Sequence, residues 1–198
     1  FTPNFCPIKD YKIVFEMNNS NINIVVDNVN VLLEHSDIFY NKEIGIRLDL
    51  NCGKGHCDKV ITQGKESKFG MNIYDLLPKI DFLKKHKIKI VGLHSHMGSG
   101  IHYYKNWSNI LVKMIKYIEY FNDLRWIDIG GGLGIDQEID FDNLDTDIKL
   151  IKPENIKIIM EPGRFIVAQS GILIGKVTQI KEKQGVKFIG TTIGMTDL

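Results

Sequence analysis

Five short β-branched runs punctuate the chain, and the stretches between them carry apolar residues that step by three and four. The runs are INIVVD (22–27), EIGIRLDL (43–50), KIKIVGLHSHM (87–97), LRWIDIGG (124–131) and IKIIMEPG (156–163). They are mostly continuous rather than alternating, as parallel strands covered on both faces should be. Trp107, Ile110, Leu111, Met114, Ile115, Ile118 and Phe121 draw one helical stripe. Ile73, Leu76, Leu77, Ile80 and Leu83 draw another behind the cap Asn72, with Asp75 three residues on. Val29, Leu32 and Leu33 predict a shorter helix behind Asn28. Strand–helix alternation restricts the chain to an α/β fold, either a doubly wound sheet or a (β/α)8 barrel.

The placement of polar residues favours the barrel. Each run keeps its unusual residues at its C-terminal end: Arg47 and Asp49, then His94 and His96, then Gly130 to Gly132, then Glu161 and Arg164. In a barrel those ends converge on one mouth, where active sites are built. Five runs do not close a ring of eight. The expectation is a partial (β/α)8 TIM barrel, about the last six βα units, with FTPNF at the start as a sixth strand. After Arg164 the rhythm changes. GILIGKVTQIKEK and VKFIGTTI flank the pair QG and predict a β-hairpin that starts a β-rich C-terminal domain. The boundaries are residues 1–165 for the barrel part and 166–198 for the second domain. The chain starts at Phe1 rather than Met and stops just past an apolar run, which reads as a piece of a longer polypeptide.

Composition narrows the function classes. The net charge is +1 and no Lys/Arg run stands out, so no nucleic-acid surface is expected. No apolar run approaches the ~20 residues of a membrane span, so no membrane is expected either. Three cysteines, Cys6, Cys52 and Cys57, are too few and too loosely spaced for a disulfide framework or a zinc motif. They read as thiols of a reducing, cytoplasmic compartment.

His94 and His96 on one strand have the spacing of two ligands for one metal. A metal site needs further ligands from later strands. No histidine follows His102, and Asp128 is the one obvious strand-end acid before Glu161, so no metal is expected. GSG (98–100) and GGG (130–132) are two glycine clusters at successive strand ends, where consecutive N–H groups can nest a phosphate. The GGGLG spacing is not the dinucleotide fingerprint. In MEPGRF (160–165) an apolar strand delivers Glu161 beside a turn and Arg164. An ion pair across the turn would explain these two residues; so would a carboxylate facing a basic ring nitrogen. A histidine on a ring face, a phosphate nest and an acid for a ring nitrogen together match pyridoxal 5′-phosphate.

GLHSHMGSG, WIDIGGGLGI, KESKFG (65–70), EPGRF and the closing GMTDL resemble, in that order, the barrel of the diaminopimelate decarboxylases. That family sits in the alanine-racemase-like superfamily, with the ornithine and arginine decarboxylases. FTPNF, VDNV and EPGRFIVAQSGIL look closest to the decarboxylase half of bifunctional aspartokinase–diaminopimelate decarboxylases. The resemblance implies removal of CO2 from meso-2,6-diaminopimelate, giving L-lysine, by a pyridoxal-phosphate enzyme of lysine biosynthesis. It implies an amino-acid substrate, a homodimeric parent and a fused aspartokinase domain upstream. His96 matches the histidine stacked on the pyridine ring, and Glu161 the acid at the ring nitrogen. Ser99, Gly130, Gly131, Gly132, Gly163 and Arg164 match phosphate-binding positions, and Arg47 a buried arginine near the cofactor. The family's Schiff-base lysine has no counterpart in this chain, which implies that the stretch alone is inactive. Thr192 and Thr196 stand in TTIGMT where the family pattern is DAGMN. An ornithine- or arginine-type decarboxylase and a non-catalytic pyridoxal-phosphate-binding relative are the alternatives.

Overall fold

The five runs form one parallel sheet in chain order: β1 (Val25–Val26), β2 (Glu43–Arg47), β3 (Lys89–His94), β4 (Trp126–Gly131) and β5 (Lys157–Glu161). The structure is a computed structural model and describes residues 1–17, 19, 21–194, 196 and 197. Met195 and Leu198 of the closing motif GMTDL lie outside the described residues. The chain divides into two compact units, Phe1–Phe165 and Ile166–Leu198. At FTPNF the expected sixth strand is a stub. The Phe1 amino group donates to the Asn23 carbonyl at 2.7 Å, and the Val25 N–H donates to the Phe1 carbonyl at 2.8 Å. Asn4 is instead drawn off by its side chain, which bonds Asp27 and the Lys68 carbonyl.

Helices cover one face of the sheet: α1 (Ile8–Glu16), α2 (Val29–Glu34), α3 (Ser36–Phe39), α4 (Ile73–Leu76), α5 (Ile80–Lys85), α6 (Lys105–Ile115) and α7 (Phe141–Ile151). Asn28 and Asn72 cap α2 and α4 as predicted, each accepting an N–H two residues on at 2.9 Å. The single helix expected over 73–83 is broken into α4 and α5. Pro78 sits in a 3-10 turn between them, because proline has no N–H to donate and its ring crowds the preceding turn. Helices α1 and α7 were not predicted. Their stripes are thin: only Tyr11 is buried in the first and only Leu144 in the second.

The core lies between sheet and helices. Ile24, Val26, Ile44, Ile46, Leu93, Ile127 and Ile129 meet Leu32, Leu76, Leu83, Trp107, Ile110, Leu111 and Met114 there, all buried. In the second unit β6 (Val177–Lys183) and β7 (Val186–Thr191) pair antiparallel as a hairpin. Gln184 and Gly185 carry φ of 53° and 77°, the left-handed pair that a two-residue hairpin loop requires.

Candidate functional site

Strand register decides which side chains meet on the face away from the helices. Val25, Gly45, Gly92 and Trp126 lie side by side across β1 to β4. The Trp126 indole covers this row. A Cβ on Gly92 would fall 2.0 Å from the indole, and one on Gly45 2.3 Å. Two residues further along each strand, on the same face, comes a polar row: Asp27, Arg47, His94 and Asp128. Asp27, Arg47, His94 and Asp128 are all buried. Glu161, at the tip of β5, lies opposite Gly131. A hollow of about 280 Å³ opens beside Val25, Trp126, Asp128, Ile159 and Glu161.

Of the predicted site residues, Glu161 lines this hollow, while His96 meets Gly131 and Ser99 meets Arg164 at the strand ends. His94 Nε2 lies 3.4 Å from Glu161 Oε2, a close contact rather than a full hydrogen bond. The Gly131 N–H donates to His96 Nδ1 at 3.2 Å, and the Gly130 N–H donates to Asp128 Oδ1 at 2.8 Å. Two of the three glycine amides expected to face a phosphate are therefore engaged within the chain. Gly130 has φ +70°, and a Cβ there would stand 2.9 Å from His96 Nδ1, so only glycine lets the imidazole lie this close. Arg164 Nη2 donates to Ser99 Oγ at 3.3 Å, which puts a guanidinium and a hydroxyl on one spot. Gly98, next to Ser99, abuts Gly132, and Gly163 turns the chain between Glu161 and Arg164 with φ +37°.

Burial and neighbouring charges set the protonation states. Burial first, then the charges of Arg47 and His94, lower His96 to about 4, so its ring is neutral near pH 7. His94 beside it holds the Glu161 carboxyl below the ordinary value, and His96 and Arg47 add to this against the cost of desolvation. Burial raises Asp128 to about 6, with His94 opposing. Arg47 is lowered by burial, which Asp27 and Glu161 partly offset. Its guanidinium stands 4.6 Å over the Phe69 ring and makes no ion pair among the described residues.

A strap the sequence did not announce holds this cluster. The loop after β2 crosses the segment that carries both histidines. Gln63 Nε2 donates to Ser95 Oγ at 2.9 Å and to the His96 carbonyl at 3.1 Å, while Gln63 Oε1 accepts the Cys52 N–H at 3.0 Å. Thr62 Oγ1 donates to the His96 carbonyl at 2.7 Å. Asp49 fastens the loop by accepting the Gly64 N–H, and Trp107 Nε1 donates to the Gly131 carbonyl at 2.9 Å. TQG inside a glycine-rich loop was the available hint, and it named no partner.

The site is chemically specific. It offers a neutral imidazole, an ionised carboxylate, a buried guanidinium without an ion pair among the described residues, and a hydroxyl with a second guanidinium. That set fits a flat ring with a basic nitrogen and a phosphate. His94, Asp128 and Glu161 also bring one ligand atom each within 4.8 Å of one another, so these three could bracket a cation. The two histidines with metal-ligand spacing, His94 and His96, are not the pair brought together, since His96 turns its Nδ1 to Gly131.

An α/β sheet that gathers imidazole, carboxylate and glycine turns at its strand tips fits a cofactor-binding domain. More narrowly, the chain belongs to the pyridoxal-dependent decarboxylases: the model of their pyridoxal-binding domain matches residues 6–168. The diaminopimelate decarboxylase of Buchnera aphidicola (subsp. Acyrthosiphon pisum) is 33% identical over 96% of this chain and 48% of that protein. The Escherichia coli K12 enzyme of the same name is 31% identical over 86% and 43%. A crystal structure of diaminopimelate decarboxylase from Helicobacter pylori complexed with L-lysine superposes with a TM-score of 0.77. It is 26% identical, over 96% of this chain and 50% of that one. The chain spans about half the length of the curated relatives it matches. Among the described residues, no helix is long and apolar enough to cross a membrane.

Proposed function

We propose that the chain is the pyridoxal-phosphate-binding part of an amino-acid decarboxylase acting on meso-2,6-diaminopimelate, with L-lysine and CO2 as products. The observation that carries this reading is the convergence of neutral His96 and ionised Glu161 around the buried tip of β3. In this reading Phe1–Phe165 is an incomplete (β/α)8 barrel, and Ile166–Leu198 begins the β-rich domain of a homodimeric parent. The names of the Buchnera and E. coli relatives supply the substrate, and the lysine in the Helicobacter structure agrees with the product.

When bound, the cofactor supplies an electron sink for the carbanion that loss of CO2 leaves. His96, uncharged, would cover the ring face without pushing a like charge onto a protonated pyridine. Glu161 keeps a proton on the ring nitrogen by placing a negative charge beside it. Ser99 and Arg164 would hold the phosphate, with Gly163 shaping the turn and Gly130, Gly131 and Gly132 keeping side chains out of the strand end, the first two with their amides already on Asp128 and His96. Arg47 would add a buried positive charge near the cofactor.

Titration of the chain with pyridoxal 5′-phosphate, followed by absorbance, tests the binding half. We expect saturable binding that His96→Ala and Arg164→Ala each weaken about tenfold or more. Saturation that neither variant changes would reject His96 as the ring cover and Arg164 as the phosphate holder. Carbon dioxide release by the full-length parent, compared with diaminopimelate and with ornithine, tests the substrate. Preference for ornithine would move the protein to the neighbouring decarboxylase branch.

A further inference from the structure

His94 is the most enclosed polar side chain at the site besides Ser95, with 1% of its surface exposed. Neither of its ring nitrogens has a hydrogen-bond partner among the described residues. Buried polar groups are nearly always paired, so an imidazole with two idle nitrogens needs a reason. Its surroundings point to one. Arg47 and Asp128 flank it in the polar row, and Asp128 Oδ1 already takes the Gly130 N–H. Glu161 approaches from β5, with Oε2 3.4 Å from Nε2. Glu161 is the exposed partner: its side chain is 47% exposed, whereas the His94 ring is enclosed at 1%. A turn of the carboxylate of a few tenths of an ångström would complete a charge-assisted bond.

We propose that His94 is a positioning residue: its Nε2–H donates to one oxygen of Glu161 and thereby aims the other at the ring nitrogen of the pyridoxal group. This rests on reading the site as a pyridoxal-phosphate site. His96 does not stand in the same place: its Nδ1 accepts from Gly131, and among the described residues neither of its ring nitrogens lies within 4.0 Å of a Glu161 oxygen. A half-exposed carboxylate without such a partner would sample several rotamers. With it, Glu161 is aimed before the ligand arrives, which is the general benefit of an orienting second contact.

The test compares two probes on the whole chain, in EDTA so that no cation enters: pyridoxal 5′-phosphate, and its 1-deaza analogue, in which the ring nitrogen is CH. Wild type should prefer the first, and Glu161→Gln should abolish that preference. His94→Ala should weaken pyridoxal phosphate about tenfold and leave the deaza analogue within about twofold, while His94→Gln, which keeps a donor, recovers most of the loss. An equal loss for both probes, or none, with wild type selective and Glu161→Gln unselective, would overturn the role of His94 alone. A Glu161→Gln chain that treats the probes as wild type does would overturn the cofactor reading at Glu161 and His94's role with it. If His94→Ala does not fold, the ¹⁵N resonance of His94 Nε2 in the unaltered chain serves instead. It should move on adding pyridoxal phosphate and stay in place with the deaza analogue; equal shifts would sink the proposal.

Discussion

Leu93 and Gly92 are adjacent in β3 and face opposite ways, and the two faces of the sheet obey different rules. Leu93 belongs to the helix-side core with Ile46, Ile127 and Trp107, all apolar and fully covered. Gly92 lies under the Trp126 indole, one row below Arg47, His94 and Asp128. The helix side is held by burial, and any apolar residue of the right size serves there. The other side is held by the shape of one indole and by charges that burial penalises. Stability is built on the first face, and burial of charge takes part of it back on the second.

The largest expected effect is on the helix side. Leu93→Ala should lower unfolding free energy by about 2–5 kcal/mol in a denaturant titration, since it leaves a cavity in a packed core. A loss well under 1 kcal/mol would mean that the two faces are not divided in this way. Gly92→Ala comes next. Its Cβ would overlap Trp126, and overpacking of this kind costs about 1–3 kcal/mol. Gly92→Ala combined with Trp126→Phe should cost less than the two single changes added together, because the smaller ring frees the space. Additive losses would show that the indole is not what restricts position 92.

Much of this division was written in the chain. The five β-branched runs became the five strands, and the polar tips gathered at one end of the sheet, because apolar continuity and strand-end polarity are local properties. The hairpin was legible for the same reason: QG is the whole loop. Register was not local. Bulges at Ile44/Gly45 and between Asp128 and Gly131 decide that Arg47, His94 and Asp128 share a row and that Glu161 stands by Gly131. No spacing along the chain announces them. Gln63 meets Ser95 across 32 residues of chain, and nothing in TQG foretells it. Helix α7 had an N-cap signal, since Asp140 accepts the Asn143 N–H at 3.0 Å, but its apolar stripe was too sparse to notice.

Acidity probes the polar row directly. Asp128 has a folded value of about 6 against an ordinary 3.8, so folding favours its neutral form. Its contribution is complete below about pH 4 and is lost as pH rises through 6. His96 is lowered to about 4 from 6.5, and folding again favours the neutral form. Its contribution is complete above about pH 6.5 and is lost as pH falls through 4. Between pH 4 and 6 the two slopes oppose each other. Asp128→Asn keeps an acceptor for the Gly130 N–H and removes one slope. It should raise stability at pH 7 by about 1–3 kcal/mol and make stability climb more steeply with pH from 4 to 6.5. Thermal unfolding across that range measures both effects. An unchanged profile would mean that Asp128 is not held above its ordinary value.

The smallest change is aimed at the strap. Thr62→Val removes the hydroxyl that donates to the His96 carbonyl at 2.7 Å and keeps the branched shape. The carbonyl also accepts from Gln63 Nε2, so it is not left bare, and the stability cost should be about 0.5–1.5 kcal/mol. Pyridoxal-phosphate affinity should fall by a larger factor than that cost alone would produce, because the bond fixes the peptide from which the imidazole hangs. Thr62→Ser, which retains the donor, should restore affinity more fully than stability. If affinity and stability fall and recover in step, the loop is packing for the strand tips and nothing more. If they separate, the strap is a part of the site that reaches it from another strand's loop.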